Sequence, residues 1–240
     1  MADRFYTNCA LEPGELFLQG PEAHHLSTVS RHQPGDIVTL FNGDGAEYPA
    51  SILSIGKKSV SLHIERVERP RREILTPVWI AAPIPKGDRA DFLIEKLTEQ
   101  GITDFQPLRT MRSVVEPRDT KLEKLRRHVI EASKQCGRNS LMRLHELVDW
   151  KMFMRMADLP PLRLIAHPGT GEVLRLPMID RTQLTAGAVV ALGPEGGFTD
   201  AEVESAHSAG WRSLSLGPRI QRIETAALTI AAWLTQLSDQ

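Results

Sequence analysis

Residues 188–202 read A-V-V-A-L-G-P-E-G-G-F-T-D-A-E, and residues 214–237 read L-S-L-G-P-R-I-Q-R-I-E-T-A-A-L-T-I-A-A-W-L-T-Q-L. The unbroken apolar run from Ala188 to Leu192 predicts a buried strand, and the glycines at 193, 196 and 197 predict a turn behind it. Thr199, followed three residues later by Glu202, is the pattern of a capping box, so a helix should start there. The second stretch repeats the plan. Leu214–Leu216 is apolar and Gly217-Pro218 interrupts it. From Arg222 a helix carries Ile223, Ala226, Ala227, Ile230, Ala231, Leu234 and Leu237 at spacings of three and four. Two loops therefore leave the carboxyl ends of two short strands, the place where open α/β sheets hold ligands.

Two readings of the first loop stay open on its residues alone. Glycines at 193, 196 and 197 either make a tight turn or let backbone N–H and C=O groups face a ligand directly. Phosphate-cradle and dinucleotide signatures are missing: there is no G-x-x-x-x-G-K-[ST], and no G-x-G-x-x-G follows the strand. Glu195 also puts an acid where a phosphate would sit.

The 240 residues suit one large or two modest domains, and 41% hydrophobic with 25% charged residues is ordinary for a soluble globular protein. No secretory pattern opens the chain, and no run approaches the roughly 18 apolar residues of a membrane span, so a cytoplasmic protein is expected. Cys9 and Cys136 are too few for a disulfide framework or a zinc site, and no metal is expected; the neighbours His24-His25 cannot both face one site on a regular element. The net charge of −1 hides an asymmetry. From Arg109 to Arg143 ten basic residues stand against four acidic ones, a balance of +6, whereas residues 1–68 carry five against nine. The basic segment is either a phosphate-binding face or a solvated helix face with pairs such as Glu123 to Arg127.

In chain order, residues 1 to about 68 read as β: a strand at Asp36–Phe41, the hairpin signal N-G-D-G at 42–45, an alternating run at 50–55, a turn at Gly56-Lys57-Lys58 and a further alternating run at 59–67. Several short antiparallel strands imply a small barrel. Arg69-Pro70-Arg71-Arg72 reads as a linker. Beyond it strands at 77–82, 104–108 and 162–166 alternate with helices at 88–100 (Phe92, Ile94 and Leu97 inward, Gly101 as the stop), 120–136 and 150–157, which predicts an α/β domain with a mostly parallel sheet.

L-G-P-E-G-G-F-T-x-x-E at 192–202 followed by L-G-P-R-I-x-R-x-E-T-A at 216–226 resembles the signature pair of the RsmE-type methyltransferases, in the SPOUT class of knotted RNA methyltransferases. H-H-L near the start, G-D at 35–36, K-L-T-E-Q-G-I at 96–102 and E-A-S-K-Q-C-G-R at 131–138 extend the resemblance along the chain. The chain departs from the family's usual residues at Gln221 (Leu), Gln100 (in K-x-x-E-L-G-V) and Ser30 (in V-L-R). The resemblance implies a PUA-like β-barrel at residues 1–70 that helps hold RNA and a SPOUT trefoil-knotted α/β domain at 74–240. It further implies methylation of uridine N3 in small-subunit ribosomal RNA, free or in the assembled subunit, a homodimer, and loops after Ala166, Leu192 and Leu216 that cradle S-adenosylmethionine. Carried onto this sequence, the cofactor positions are His167, Pro168, Leu192, Gly193, Pro194, Glu195, Gly196, Gly197, Leu216, Gly217, Ile220, Thr225 and Ala226.

Arg222 is the candidate for stabilising charge on the uracil, with a phosphate or dimer contact as its other reading. Glu224 is the candidate acceptor for the cofactor or the base edge, or else a helix N-terminal acid favoured by the dipole. Arg4, Arg31, Arg112 and Arg138 are the candidate RNA contacts. An RNA-binding ribosome-assembly factor without turnover is the alternative, weakened by a glycine loop that a pure binder does not need. A hydrolase lacks G-x-S-x-G and a nucleophile beside a base.

Overall fold

The computed structural model describes residues 3–114, 119–167 and 174–238. Their contacts divide the chain into two compact units, Met1–Glu73 with Ser133–Leu141, and Ile74–Ala132 with Met142–Gln240.

The first unit is a five-stranded sheet of β1 (Arg4–Tyr6), β2 (Gly14–Gln19), β3 (Ile37–Phe41), β4 (Tyr48–Ile55) and β5 (Ser59–Ile64), with a short helix α1 (Gly20–His24) continuing into a π-helical turn at His25–Val29. Strand order is β1-β3-β4-β5-β2. Antiparallel β3 and β4 are joined across 42–47 and antiparallel β4 and β5 across Gly56–Lys58, as the hairpin signals require. Among the described residues β1 and β2 do not pair, so the expected barrel is an open sheet. β5 ends at Ile64, and Val67, expected on its buried face, is exposed. Alternation holds elsewhere: Val38, Leu40, Ala50, Ile52, Val60, Leu62 and Ile64 turn into one core with Phe5 and Leu26.

Within this unit Ser133–Leu141 is tied down by charge. Arg4 donates Nη1 to Glu47 Oε2 at 2.9 Å and Nη2 to the Arg138 carbonyl at 3.1 Å and to Asn139 Oδ1. Arg72, in the expected linker, forks onto the same Glu47 carboxylate and reaches the Gly137 carbonyl at 3.0 Å. Arg138 grips Glu73 through Nε at 3.0 Å and Nη2 at 2.7 Å. Arg4 and Arg138, both expected to contact RNA, are thus 7% and 4% exposed, with their guanidinium groups paired inside the unit apart from Arg4 Nε.

The second unit is built on a parallel sheet of β6 (Val78–Ala82), β7 (Asp104–Arg109), β8 (Arg143–Leu144), β9 (Val148–Asp149), β10 (Leu162–Ala166), β11 (Leu174–Arg175), β12 (Ala188–Leu192) and β13 (Arg212–Ser215). Their order is β11-β13-β10-β12-β6-β7-β8, with β9 also on β7. The helices are α2 (Asp88–Glu99), α3 (Asp119–Cys136), α4 (Trp150–Phe153), α5 (Arg181–Leu184), α6 (Asp200–Ser208) and α7 (Ile223–Ser238). Every residue of β6 and β12 is buried, which is why both read as unbroken apolar runs: a central parallel strand is covered on both faces. Trp79, Ala81, Val189, Ala191 and Ile165 enter one cluster with Trp150, Phe153, Val203 and Ala206. Val78, Ile80 and Val190 fall on the other face by alternation, and α7 packs on β6, β12 and α2.

α2 differs from expectation in phase. Ala90, Leu93, Ile94 and Leu97 are buried while Phe92 is 45% exposed, because the i, i+3, i+4, i+7 stripe starts at Ala90. α4 stops at Phe153, a turn earlier than the pattern suggested.

Candidate active site

Register decides where the site forms. Ala166 at the end of β10 is aligned with Leu192 of β12 on one side and with Leu214 of β13 on the other. Three parallel strands therefore end in one row, and His167 stands beside the loops that follow Leu192 and Leu214. They enclose a cleft of about 480 Å3.

The loop after β12 forms first from its own chemistry. Gly197 donates its N–H to the Pro194 carbonyl at 2.8 Å, closing a four-residue turn, and adopts φ +69°, a backbone that side-chain-bearing residues avoid. Gly193 is needed for a different reason. A Cβ there would lie 3.0 Å from the Phe198 nitrogen and 3.1 Å from the Gly197 carbonyl carbon, both backbone atoms. At Gly196 the nearest contact would be Arg112 Cδ at 3.2 Å, part of a flexible side chain. The glycine pattern is therefore a turn that cannot tolerate bulk, with Gly193 as its tightest point.

Two anchors hold the turn. Phe198 is buried against Trp150 at a ring distance of 5.1 Å, in the aromatic core with Phe153 and Trp211. The capping box at α6 is formed as expected: Glu202 accepts from the Thr199 N–H at 2.8 Å, and Thr199 Oγ1 accepts from the Glu202 N–H at 3.3 Å. Glu202 also accepts from the Met111 N–H at 2.8 Å, which pins the 110–113 turn beside the glycine loop. Arg112 then donates Nη1 to the Gly196 carbonyl at 2.6 Å and lines the cleft. Arg112, expected to contact RNA, is exposed and holds the glycine loop.

Of the expected cofactor positions, His167, Leu192, Gly193, Pro194, Glu195, Gly196, Gly197, Leu216, Gly217, Ile220 and Ala226 line this cleft. Pro168 lies outside the described residues. Thr225, also expected at the cofactor, is exposed and off the cleft wall, one step round α7 from Ala226 and Ile223, which face it. Burial pushes the His167 ring below its ordinary pKa of 6.5, with Asp200 opposing and His207 assisting, so the imidazole is neutral at neutral pH.

Arg222 is exposed and off the cleft wall, at the entry to α7. Glu224 is 8% exposed and faces α2 instead of the cleft: its Oε1 lies 3.8 Å from Arg89 Nη1, and its Oε2 is buried without a hydrogen-bond partner. Arg89 also donates Nη2 to Glu195 at 3.2 Å, so one guanidinium links the two glutamates of the two signature loops. The sequence reading missed Arg89. Its signal was the K-G-D-R turn after β6, and only the pairing of β6 with β12 brings that turn beside the glycine loop. Also missed were Gln221, whose Oε1 is buried in the cleft wall without a partner, and the cleft-lining Phe198, Asp200 and Ser215.

The basic segment is largely neutralised at home. Arg109 pairs with Asp149, Lys121 and Lys124 with Asp91, Arg126 with Glu146, Lys134 with Glu22, Arg138 with Glu73 and Arg143 with Asp104. Arg118 lies outside the described residues, while Arg127 on α3 and Arg31 in the first unit are exposed. Arg31 sits at φ +56°. Among the described residues no group of three or more metal-ligating side chains occurs, and no helix is long and apolar enough to cross a membrane.

Comparison with known proteins points the same way. A family model described as an RNA methyltransferase domain matches residues 72–235, and one described as an RNA methyltransferase PUA domain matches 18–65. Ribosomal RNA small subunit methyltransferase E of Bacillus subtilis is 33% identical over 232 residues, covering 92% of this chain and 90% of the relative. The same enzyme of Synechocystis is 32% identical, covering 91% and 72%. A solved ribosomal RNA small subunit methyltransferase E from Neisseria gonorrhoeae, bound to S-adenosyl methionine, superposes with a TM-score of 0.89 at 29% identity, covering 99% of this chain and 98% of that one. A chain from Legionella pneumophila solved with the cofactor SAM reaches the same TM-score at 33% identity, covering 98% of each. With a parallel sheet ending in one cleft and a family match over most of its length, the chain belongs to the RNA methyltransferase family that includes the ribosomal RNA small subunit methyltransferases E.

Proposed function

We propose that this protein transfers the methyl group of S-adenosylmethionine to N3 of a uridine in small-subunit ribosomal RNA. The observation that carries this reading is the row of strand ends at Ala166, Leu192 and Leu214, which gathers His167 and the loops after β12 and β13 into the walls of one cleft. Its residues fit an adenosine-bearing sulfonium. The floor is apolar at Leu192, Leu214, Ile223 and Ala226, backbone is accessible at Gly193 and Gly217, and the wall holds a buried acceptor with no protein donor at Gln221. When bound, the cofactor supplies a methyl group that is already electrophilic.

The protein's own residues then have to position and polarise. Gly193 and Gly197 keep the loop narrow enough for backbone groups to face a ligand. Arg89 holds Glu195 and Glu224, and so steadies both loops, which gives Glu224 a positioning role. His167, neutral, presents no competing charge. Uracil N3 must lose a proton before it is alkylated, leaving negative charge on the flanking carbonyl oxygens. Arg222, exposed at the lip, is the group proposed to donate to that charge; a planar guanidinium makes the paired hydrogen bonds this requires.

The finer architecture belongs to the same proposal: a PUA-like RNA-holding domain at 1–70, a methyltransferase domain at 74–240 and a trefoil knot in its last third. Support for the knot is that β13 lies on the far side of β10 from β12, while α7, which follows β13, packs back on β12 and β6. A homodimer in the cytoplasm completes the reading. Exposed Trp233 and Phe92 supply apolar surface for a two-fold contact.

The test is direct. Small subunits purified from cells lacking the modification are incubated with the protein and methyl-labelled S-adenosylmethionine, then digested to nucleosides. Label in N3-methyluridine is expected. Cofactor binding without label in any nucleoside would favour the assembly-factor reading instead.

A further inference from the structure

Gln221 closes the loop after β13, between Ile220, fully exposed, and the buried start of α7 at Ile223. Its side chain lines the cleft, and its Oε1 is enclosed with no hydrogen-bond partner among the described residues. An amide oxygen buried in this way destabilises the folded chain unless something donates to it. Leu214, Ile223 and Ala226 of the cleft walls are apolar, Arg112 donates Nη1 to the Gly196 carbonyl, and the other described donors of the lining, Ser215 and Arg219 among them, do not bond this oxygen. A donor must come from what enters the cleft. An amide is a neutral acceptor, suited to a neutral donor such as an exocyclic amine or a hydroxyl; an ammonium group is better matched by a carboxylate.

We propose that Gln221 is a specificity-determining residue whose Oε1 accepts a hydrogen bond from a neutral donor on the adenosine half of the cofactor. The inference rests on the cofactor reading above and deepens it. It assigns the buried oxygen a partner, and it predicts that an apolar residue of similar size trades affinity for stability.

Calorimetric titration of the full-length protein and its Gln221→Leu variant with three non-reacting probes tests this: S-adenosylhomocysteine, S-inosylhomocysteine, which lacks the exocyclic amine, and the 2′-deoxyadenosyl analogue. Gln221→Leu is expected to weaken S-adenosylhomocysteine roughly tenfold, the scale of one lost hydrogen bond in a buried site. The probe that lacks the donor should bind both proteins equally. The ligand-free variant should melt at or above the wild-type temperature, because an unpaired polar atom has been removed. A lower melting temperature with unchanged affinities would show a structural side chain and overturn the proposal. Equal weakening of all three probes, and of the 3′-deoxyadenosyl analogue as well, would place the donor outside the adenosine half and overturn it too. Absence of any binding to the wild type would be a different failure, that of the cofactor reading itself.

Discussion

Two regions of this molecule leave different kinds of buried polar atom without a partner. In the first unit, Arg4, Arg72 and Arg138 converge on Glu47, Glu73 and backbone carbonyls, and the buried atoms left over are the donors Arg4 Nε and Asn139 Nδ2 and the Ser133 hydroxyl. In the cleft of the second unit, Gln221 Oε1 and, beside it, Glu224 Oε2 are buried with nothing donating to them. Desolvating a polar group without a partner is costly, so a chain that has paired its arginines so thoroughly elsewhere keeps these acceptors open at a cost. The difference separates charge that builds the fold from polarity reserved for a ligand. Counting basic residues also overstates the free positive charge: most of the +6 segment is internally paired.

The sharpest way to break this comparison is Glu47→Ala, which strands Arg4 in the interior. Removing one partner of a buried pair costs about 3–5 kcal/mol, whereas Glu65→Ala, in a surface pair with Arg66, should cost about 0–1 kcal/mol. Urea unfolding reads both, and equal costs would show that the network does not hold the unit. The same carboxylate makes a pH prediction. Burial opposes ionisation of Glu47, but hydrogen bonds from Arg72 and Arg4 outweigh it and hold its pKa below 4.5. Its contribution is therefore present above that value and lost as pH falls through the lower folded-state pKa. A Glu47→Gln variant should lack this acid-dependent loss.

Next in size is Arg222→Lys, which keeps the charge and loses the planar fork. Loss of such a donor typically costs roughly 2.7 to 4 kcal/mol, or 10² to 10³ in rate. Single-turnover methylation at saturating RNA should show much of that loss with RNA affinity retained. Wild-type rate with weakened RNA binding would mean a phosphate contact.

The glycine loop gives a smaller effect with a clear ranking. Gly193→Ala drives a Cβ against the Phe198 and Gly197 backbone and should destabilise by about 1–3 kcal/mol while lowering cofactor affinity. Gly196→Ala meets only the Arg112 side chain and should be milder. Thermal melts with calorimetry order the two. Smallest is the salt test. Exposed Arg127→Ala should reduce the log-log salt slope of RNA binding by about 0.7 to 0.9, the share of one phosphate, while paired Arg138→Gln should alter stability and leave the slope unchanged.

Much of the fold was legible. β10 and β12 coincide with the apolar runs at 162–166 and 188–192, and the Thr199–Glu202 capping box opens α6 as the pattern required. These features depend on residues within a few positions of one another. The two- and three-residue strands β1, β8, β9 and β11 were not legible, because they are strands only by virtue of partners far along the chain. The phase of α2 was misjudged for a related reason: an exposed phenylalanine and a buried one carry the same letter.

By itself, then, the sequence determined the local elements, the turn chemistry of 193–197 and, through its two long motifs, the family. What only the tertiary structure decided was which arginines are spent, that Arg89 bridges Glu195 and Glu224, and that Gln221 turns an unpaired oxygen into the cleft. Local propensity acts over a few residues, but a side chain's partner is set by strand order and register. Arg4 meets the Arg138 carbonyl 134 positions away, and nothing in either neighbourhood announces the other.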